Sequence, residues 1–480
     1  MTTKYPRNVI VRTLLILAVK IRKNLDNDVI KYLTNLINAL TDTPSRYTSF
    51  HHYKQIIDSY SFPFQVHHLC SACKSYIGFE INPIEDNSTL HCNKCGIDVV
   101  LKENKQSGNV FFYMSLAQQL IEFCIQHHEK LLHSINRQKK CSYAFEDIMD
   151  GNLYKRHMSS EDLLSLNFSV DGTPLFKSSQ TSITPILCTI NELDPSLRKL
   201  HIMLVSIYLD TGKPVMNEYL KPFVEEAKVL ANQGISYTYN GMKYHKKFKI
   251  LNGVCDSVER PNLRCSKSFR GAYGCGLCKH PGEETAKGDG HVRVFPIDEE
   301  GNAFGEGLRS HQETLEHAET SEKGIKQRST LIDIPDFDII KNLDVDWMHC
   351  IPLGVCRQFL KLWFNSEYHD KPFYLGSKIK DIDAFIMSIK PSLDVSRTPR
   401  KISDRAHLKA HELVVWLLFY SLPSLKPYLP HKYLLHWSLL VEAASILLKT
   451  CVLEAELQEI HGQDLTYRQR KLLEELTHKK

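Results

Sequence analysis

The sequence predicts an α+β protein of several domains, and three observations carry that expectation. Between residues 161 and 264 lie three short apolar runs, "LNFSVDG" (166–172), "SITPILCTINEL" (182–193) and "LHIMLVSIYLD" (200–210). The helical stretch "NEYLKPFVEEAKVLANQG" (217–234) and a fourth strand, "KYHKKFKILNGVCD" (243–256), follow. Three strands, a helix and a strand form a mixed α/β pattern. Upstream, four cysteines in two CxxC pairs mark a small metal-held unit. From about residue 343 the chain returns to helical periodicity, as in "AHELVVWLLFYSLPSL" and "YLLHWSLLVEAASILLKTCVL".

A chain of 480 residues has room for roughly two to four domains. At that size a hydrophobic core forms without disulfide staples. The net charge of +5 permits a nucleic acid partner without requiring one. The apolar stretch Val9–Val19 is interrupted by Arg12 and followed by Lys20, Arg22 and Lys23. It is shorter than the roughly 20 residues a membrane span needs and reads as a buried amphipathic helix, with no secretory signal and no membrane partner. Of the fourteen cysteines, six sit in three CxxC pairs, which points to zinc and to the cytosol or nucleus.

Taken in order, residues 1–62 read as a helical N-terminal region. Val29, Ile30, Leu33, Leu36, Ile37 and Leu40 recur at helical spacing until "TDTPS" stops them. Residues 63–103 read as a zinc ribbon of short strands. Residues 104–160 read as a helical linker whose helix, 110–136, carries Leu116, Leu120, Phe123 and Cys124 on one face. The first part of the core spans 161–264. Residues 265–340 are polar and glycine-rich and read as an insertion. The helical part of the core spans 341–452, and 453–480 is a charged C-terminal helix.

Cys70, Cys73, Cys92 and Cys95 give CxxC-x18-CxxC. Each CxxC turn aims two thiolates at one ion, so two turns close a tetrahedral zinc site with no open position. Such a site is structural. His67, His68 and His91 lie nearby, but four thiolates suffice without them.

Asp171 ends the first strand of the core and Asp256 ends the fourth. Hard carboxylate oxygens suit magnesium or manganese, although an aspartate at a strand end is most often a cap or a turn starter. The surrounding blocks add to this. "FEDIMDGNLY", "SVDGTPLFKSS", "GVCDSVERPNLR", "YGCGLCKHPGE", "VDWMHCIPLGVCRQFLKLWF" and "RTPRKISDRAHLKAHELVVWLLFYSLPSL" occur in that order. Across roughly residues 63–450 the chain resembles the CACTA (En/Spm-like) transposase-like proteins of animal genomes, in the DDE transposase superfamily.

That resemblance implies an RNase H-like core, in which the strands ending at Asp171 and Asp256 are neighbours. It implies a DDE-type nuclease and strand-transfer enzyme acting with Mg2+ or Mn2+ on transposon ends and target DNA, in the nucleus, as a homo-oligomer. It carries the three acids onto Asp171, Asp256 and Glu412, with Asp346 competing for the third place. Cys275 and Cys278 begin 19 residues beyond Asp256. They resemble the CxxC in the insertion of the V(D)J recombinase catalytic subunit, where two histidines complete a zinc site. His349 in "DWMH" is the third ligand on that reading, with His280, His311, His407 or His411 the fourth. Arg397, Arg400 and Lys401, with Arg405 and Lys409 beyond, either meet DNA phosphates or form a solvated charge run.

The chain departs from the family at Leu408, where a tryptophan is usual, and at Leu413 and Val414, where an arginine often stands. It also ends at Lys480, short of the further helical segment usual there, as a truncated or domesticated copy would. Two other functions therefore stand beside the enzyme: a catalytically silent, transposon-derived DNA-binding protein, and a zinc-ribbon scaffold for protein partners.

Overall fold

The computed structural model describes residues 28–39, 51, 63–80, 88–158, 162–174, 181–210, 212–287, 290–296, 307–392, 395 and 398–461. Val9–Val19, the "TDTPS" stop, Arg397 and residues 462–480 lie outside them. The chain divides into two units, Met1–Phe64 and Gln65–Lys480. In the first, the expected helical spacing forms a helix, α1 (Asp28–Ala39).

The second unit is built on one mixed sheet. Its strands are β1 (Gln65–Leu69), β2 (Tyr76–Phe79), β5 (Val110–Tyr113), β6 (Leu163–Val170), β7 (Ser182–Ile190), β8 (Met203–Asp210), β9 (Ile235–Tyr239), β10 (Met242–Cys255) and β11 (Leu343–Val345), while β3 (Thr89–His91) and β4 (Asp98–Val100) form a separate hairpin. The order is β9-β10-β6-β7-β8-β5-β1-β2, with β11 also on β10. β6, β7 and β8 pair antiparallel. β10 runs parallel to β6, and β11 parallel to β10. At Gly253 and Val254 β10 pairs with both, so β6 and β11 occupy its opposite edges.

The sequence of β10 explains its two environments. Its first half, "MKYHKKF", keeps most side chains exposed or half-buried and pairs with β9 in a hairpin. Its second half, "ILNGVC", is nearly all buried because strands flank it on both edges. Parallel strands covered on both faces read as continuous apolar runs, and this half does. Gly253 is there for space: a Cβ would sit 2.4 Å from the Phe168 ring.

Residues 110–136 are not one helix. Val110–Tyr113 pairs into the sheet as β5, and the helix α2 (Leu116–Ile135) starts three residues later. Phe111 and Tyr113 are buried in the sheet, so tertiary pairing overrides the helical periodicity there. The expected apolar face of α2 forms, with Leu116, Leu120, Phe123 and Cys124 buried. Glu226, on α3 (Lys221–Asn232), accepts from the Leu116 N–H at 2.9 Å and the Ala117 N–H at 3.0 Å. A carboxylate at a helix N-terminus satisfies orphan donors and opposes the macrodipole, so this residue ties α3 to α2.

One core joins the sheet to α2 and α3 through Leu120, Phe168, Ile186, Phe223, Val224 and Phe248. Each such side chain contributes roughly 1.5–3 kcal/mol on burial. A second core holds the C-terminal helices, with Trp363, Trp416 and Trp437 packed ring to ring. Trp437 also donates its Nε1–H to Ser421 Oγ at 2.9 Å. Between Cys255 and β11 the chain forms a short helix, α4 (Glu259–Leu263), a hairpin (Glu283–Lys287 and Gly290–Val294), and the helix α5 (His311–Thr320). No helix among the described residues is long and apolar enough to cross a membrane.

Candidate metal centre and acidic site

The four N-terminal cysteines converge. Cys70 follows β1 and Cys92 follows β3. Cys70 Sγ lies 3.5 Å from Cys95 Sγ, and Cys73 Sγ lies 3.5 Å from Cys92 Sγ. All four sulfurs lie within 4.8 Å of one another. Bonds of about 2.3 Å to a tetrahedral zinc need sulfurs roughly 3.8 Å apart, so this cluster can hold a structural zinc.

The two knuckles share one backbone design. Cys70 N–H donates to Ser75 O and Cys92 N–H to Ile97 O, both at 2.8 Å. Lys74 and Gly96, each following the second cysteine, are left-handed at φ 58° and 75°. The nearby histidines are engaged elsewhere. His67 meets Tyr76 OH at 2.9 Å, His68 meets Glu80 at 3.0 Å, and His91 meets Asp98 at 2.8 Å. Burial pushes the His67 imidazole down to about 4, with the neighbouring His68 adding to the effect. Because β1 pairs with β5 and β5 with β8, the metal-bearing hairpin β1–β2 continues the central sheet.

The acids gather at the other end of that topology. Three adjacent parallel strands, β6, β10 and β11, are each followed at once by an aspartate: Asp171, Asp256 and Asp346. Asp346 N–H donates to Cys255 O at 3.3 Å, which sets Asp346 beside Asp256. Asp256 Oδ1 accepts from the Val258 N–H at 2.9 Å and the Glu259 N–H at 2.6 Å. That fixes the carboxylate while its second oxygen accepts no hydrogen bond from these amides.

Asp346 Oδ1 accepts from the Met348 N–H at 2.8 Å, and its Oδ2 meets His349 Nδ1 at 2.5 Å. Desolvation raises the Asp171 carboxyl above its ordinary range. The Asp256 charge raises it further, Glu259 and Asp346 add to this, and His349 opposes it. His349 is itself raised, first by its hydrogen bond to Asp346, then by the charges of Asp346, Asp171 and Asp256. Of these acids Asp346 touches the imidazole, and Asp171 and Asp256 act on it through their charge.

Glu412 stands in a different setting, on a short helix (Ala410–Val415). Its Oε2 accepts from the Lys409 N–H at 2.8 Å and lies 3.7 Å from Arg400. Its Oε1 is buried with no protein partner. It faces a cavity of about 30 Å³ lined also by Arg400, His411, Trp416 and Tyr420, and by none of Asp171, Asp256 and Asp346.

Cys275 and Cys278 form a knuckle, with the N–H groups of Leu277 and Cys278 each 3.4 Å from Cys275 Sγ. Among the described residues, no third His, Cys, Asp or Glu joins them within 4.8 Å, and His349 is engaged with Asp346 instead. His280 accepts from the Gly282 N–H, His311 from the Ile339 N–H, and His407 bonds Asp404. Among the described residues, Asp171 and Asp256 form no group within 4.8 Å with Glu412, and none with Asp346 or His349.

Of the basic residues, Arg400 is occupied by His407 O and Asp404, and Lys401 is exposed. Sequence reasoning missed Glu259. It is 3% exposed, is paired with Lys213 and bonded to Asn262, and adds its charge to the acidic cluster. Its spacing three residues after Asp256 was the only available signal. No known family model matches the chain, and no curated protein is similar to it.

Proposed function

We propose that this protein is a DNA transposase-like enzyme: a divalent-metal-dependent nuclease and strand-transfer enzyme on an RNase H-like core, with a structural zinc at its N-terminal side. The observation that carries this reading is the row of Asp171, Asp256 and Asp346 at the ends of three neighbouring parallel strands. Three antiparallel strands followed by two parallel ones, in the order β8-β7-β6-β10-β11, also support an RNase H-like sheet. The resemblance described above supplies the substrate, DNA at transposon ends.

The donor set fits a hard cation. Asp171, Asp256 and Asp346 end neighbouring strands, and Asp171 is raised by burial and then by the Asp256 charge, with the imidazole of His349 opposing that rise. The chemistry that bound magnesium or manganese would supply there is activation of an attacking water or 3′-hydroxyl and stabilisation of the leaving oxygen of a phosphodiester. Asp171 and Asp256 would hold it. Asp256 is pre-oriented by two backbone amides, and Asp346 holds the imidazole of His349, which is raised by the charges of the other two acids. For the third carboxylate the resemblance favours Glu412, and the strand-end position beside Asp256 supports Asp346.

The test is nicking of DNA that carries the terminal inverted repeats flanking the gene, with Mg2+ or Mn2+ and with EDTA. Metal-dependent nicking that disappears in Asp171→Ala is the expected result. DNA binding without nicking in any metal would favour the silent, transposon-derived binding protein. No DNA binding at all would leave only the zinc-ribbon scaffold.

A further inference from the structure

We propose that the turn Ser266–Gly271, which begins ten residues after Asp256, is a DNA-gripping element, stacking an unpaired base on Phe269 and holding phosphates on Lys267 and Arg270. The inference rests on the nuclease reading and specifies how a substrate strand is held.

Placement is the first reason. The Asp256 carboxylate accepts from the N–H of Glu259, the first residue of α4, whose five residues span about 7.5 Å, and the chain enters the turn three residues after that helix ends.

Chemistry is the second. Lys267, Ser268, Phe269 and Arg270 are consecutive and all exposed, Phe269 at 44%. The Arg270 guanidinium lies 5.8 Å from the Phe269 ring centroid. No acidic residue occurs between Arg264 and Glu283. Lys326 is exposed beside the turn and donates its N–H to Cys265 O at 2.8 Å. A single exposed phenylalanine is ordinary. An exposed ring between two cations matches a strand of phosphates and bases, where aromatic faces take bases and cations take phosphates.

Rigidity is the third reason. Gly271 N–H donates to Ser268 O at 2.9 Å, and Lys267 N–H to Gly324 O at 2.7 Å. A Cβ on Gly274 would lie 2.0 Å from Ser268 O. Cys265 and Tyr273, at the flanks, are left-handed at φ 53° and 61°, a conformation that costs a side-chain-bearing residue energy. Two buried arginines hold the surroundings in place. Arg264 donates to the carbonyls of Gly276, Ile339 and Ile340, and Arg309 to those of Tyr273, Cys275 and Lys323. A strained, pinned turn that leaves an aromatic ring in water is preorganised, so little entropy is lost when a base lands on it.

The experiment measures binding of a fluorescent single-stranded DNA oligonucleotide, and of its duplex form, to the full zinc-loaded chain over a range of salt. Phe269→Ala should weaken single-strand binding roughly tenfold, leave the duplex nearly unchanged, and be rescued by Phe269→Tyr. Lys267→Ala with Arg270→Ala should weaken both and lower the slope of log affinity against log salt by about 1.5. All these side chains are exposed, so unaltered thermal melts should accompany the losses. Wild-type single-strand affinity in Phe269→Ala overturns the stacking element while the nuclease reading stands. An unchanged salt slope in the double variant overturns the phosphate contacts in the same way. Failure of the wild-type chain to bind either oligonucleotide overturns both readings together.

Discussion

His349 Nδ1 lies 2.5 Å from Asp346 Oδ2, and the same imidazole is raised by the charges of Asp171 and Asp256. A carboxylate on one ring nitrogen holds the imidazole in place and favours its charged form. Asp346 thereby holds two positions at once, a strand end beside Asp256 and a brace for His349.

That relationship separates the candidates for the third carboxylate. Asp171→Asn and Asp256→Asn should each abolish metal-dependent nicking while leaving the thermal midpoint within a few degrees, since both groups sit at strand ends outside the two cores. If Asp346 is the third carboxylate, Asp346→Asn matches them and Glu412→Gln stays active. If Glu412 is, the order reverses. Nicking rates for the four variants at saturating Mn2+ decide it.

Zinc content tests the two CxxC sites independently. One zinc per chain is expected, lost in Cys73→Ser and retained in Cys275→Ser, because only the N-terminal thiols form a four-ligand cluster among the described residues. Two zinc ions falling to one in Cys275→Ser would mean that the second knuckle recruits its histidines on metal binding. Since β1 continues the central sheet, chelation should also lower the main melting transition and not only loosen residues 63–103.

Gly253→Ala should cost about 1–3 kcal/mol, the usual penalty for overpacking a filled core. The added methyl meets the Phe168 ring at 2.4 Å. Phe168→Leu in the same chain should recover part of the loss. A double-mutant cycle in denaturant that shows simple additivity would mean the strand shifts to make room.

The buried His67 gives an acid limb to stability. Its folded value, pushed down to about 4, lies below the unfolded value near 6.5, so between those values the unfolded chain binds more protons. Its contribution is complete above about pH 6.5, falls as pH drops toward 4, and is flat below, for up to roughly 3 kcal/mol. His67→Phe should flatten that limb of the denaturation midpoint against pH, at the expense of the Tyr76 hydroxyl contact.

The sequence by itself determined the elements whose signals are local. The CxxC-x18-CxxC spacing found all four thiols of the N-terminal cluster, because a knuckle is a short backbone turn that its own residues specify. Apolar runs ending in acids found Asp171 and Asp256 and the strands that bear them. Only the tertiary structure set Asp346 beside Asp256. β11 is three residues long, with no periodicity to read, and it carries Asp346 to Asp256 across 90 residues of chain by pairing Val345 with Cys255. The strand at Val110–Tyr113 was hidden for the same reason, since its identity comes from β1 and β8 on either side. Hydrogen-bond partners far along the chain leave no imprint on local composition, whereas knuckles, caps and amphipathic faces do.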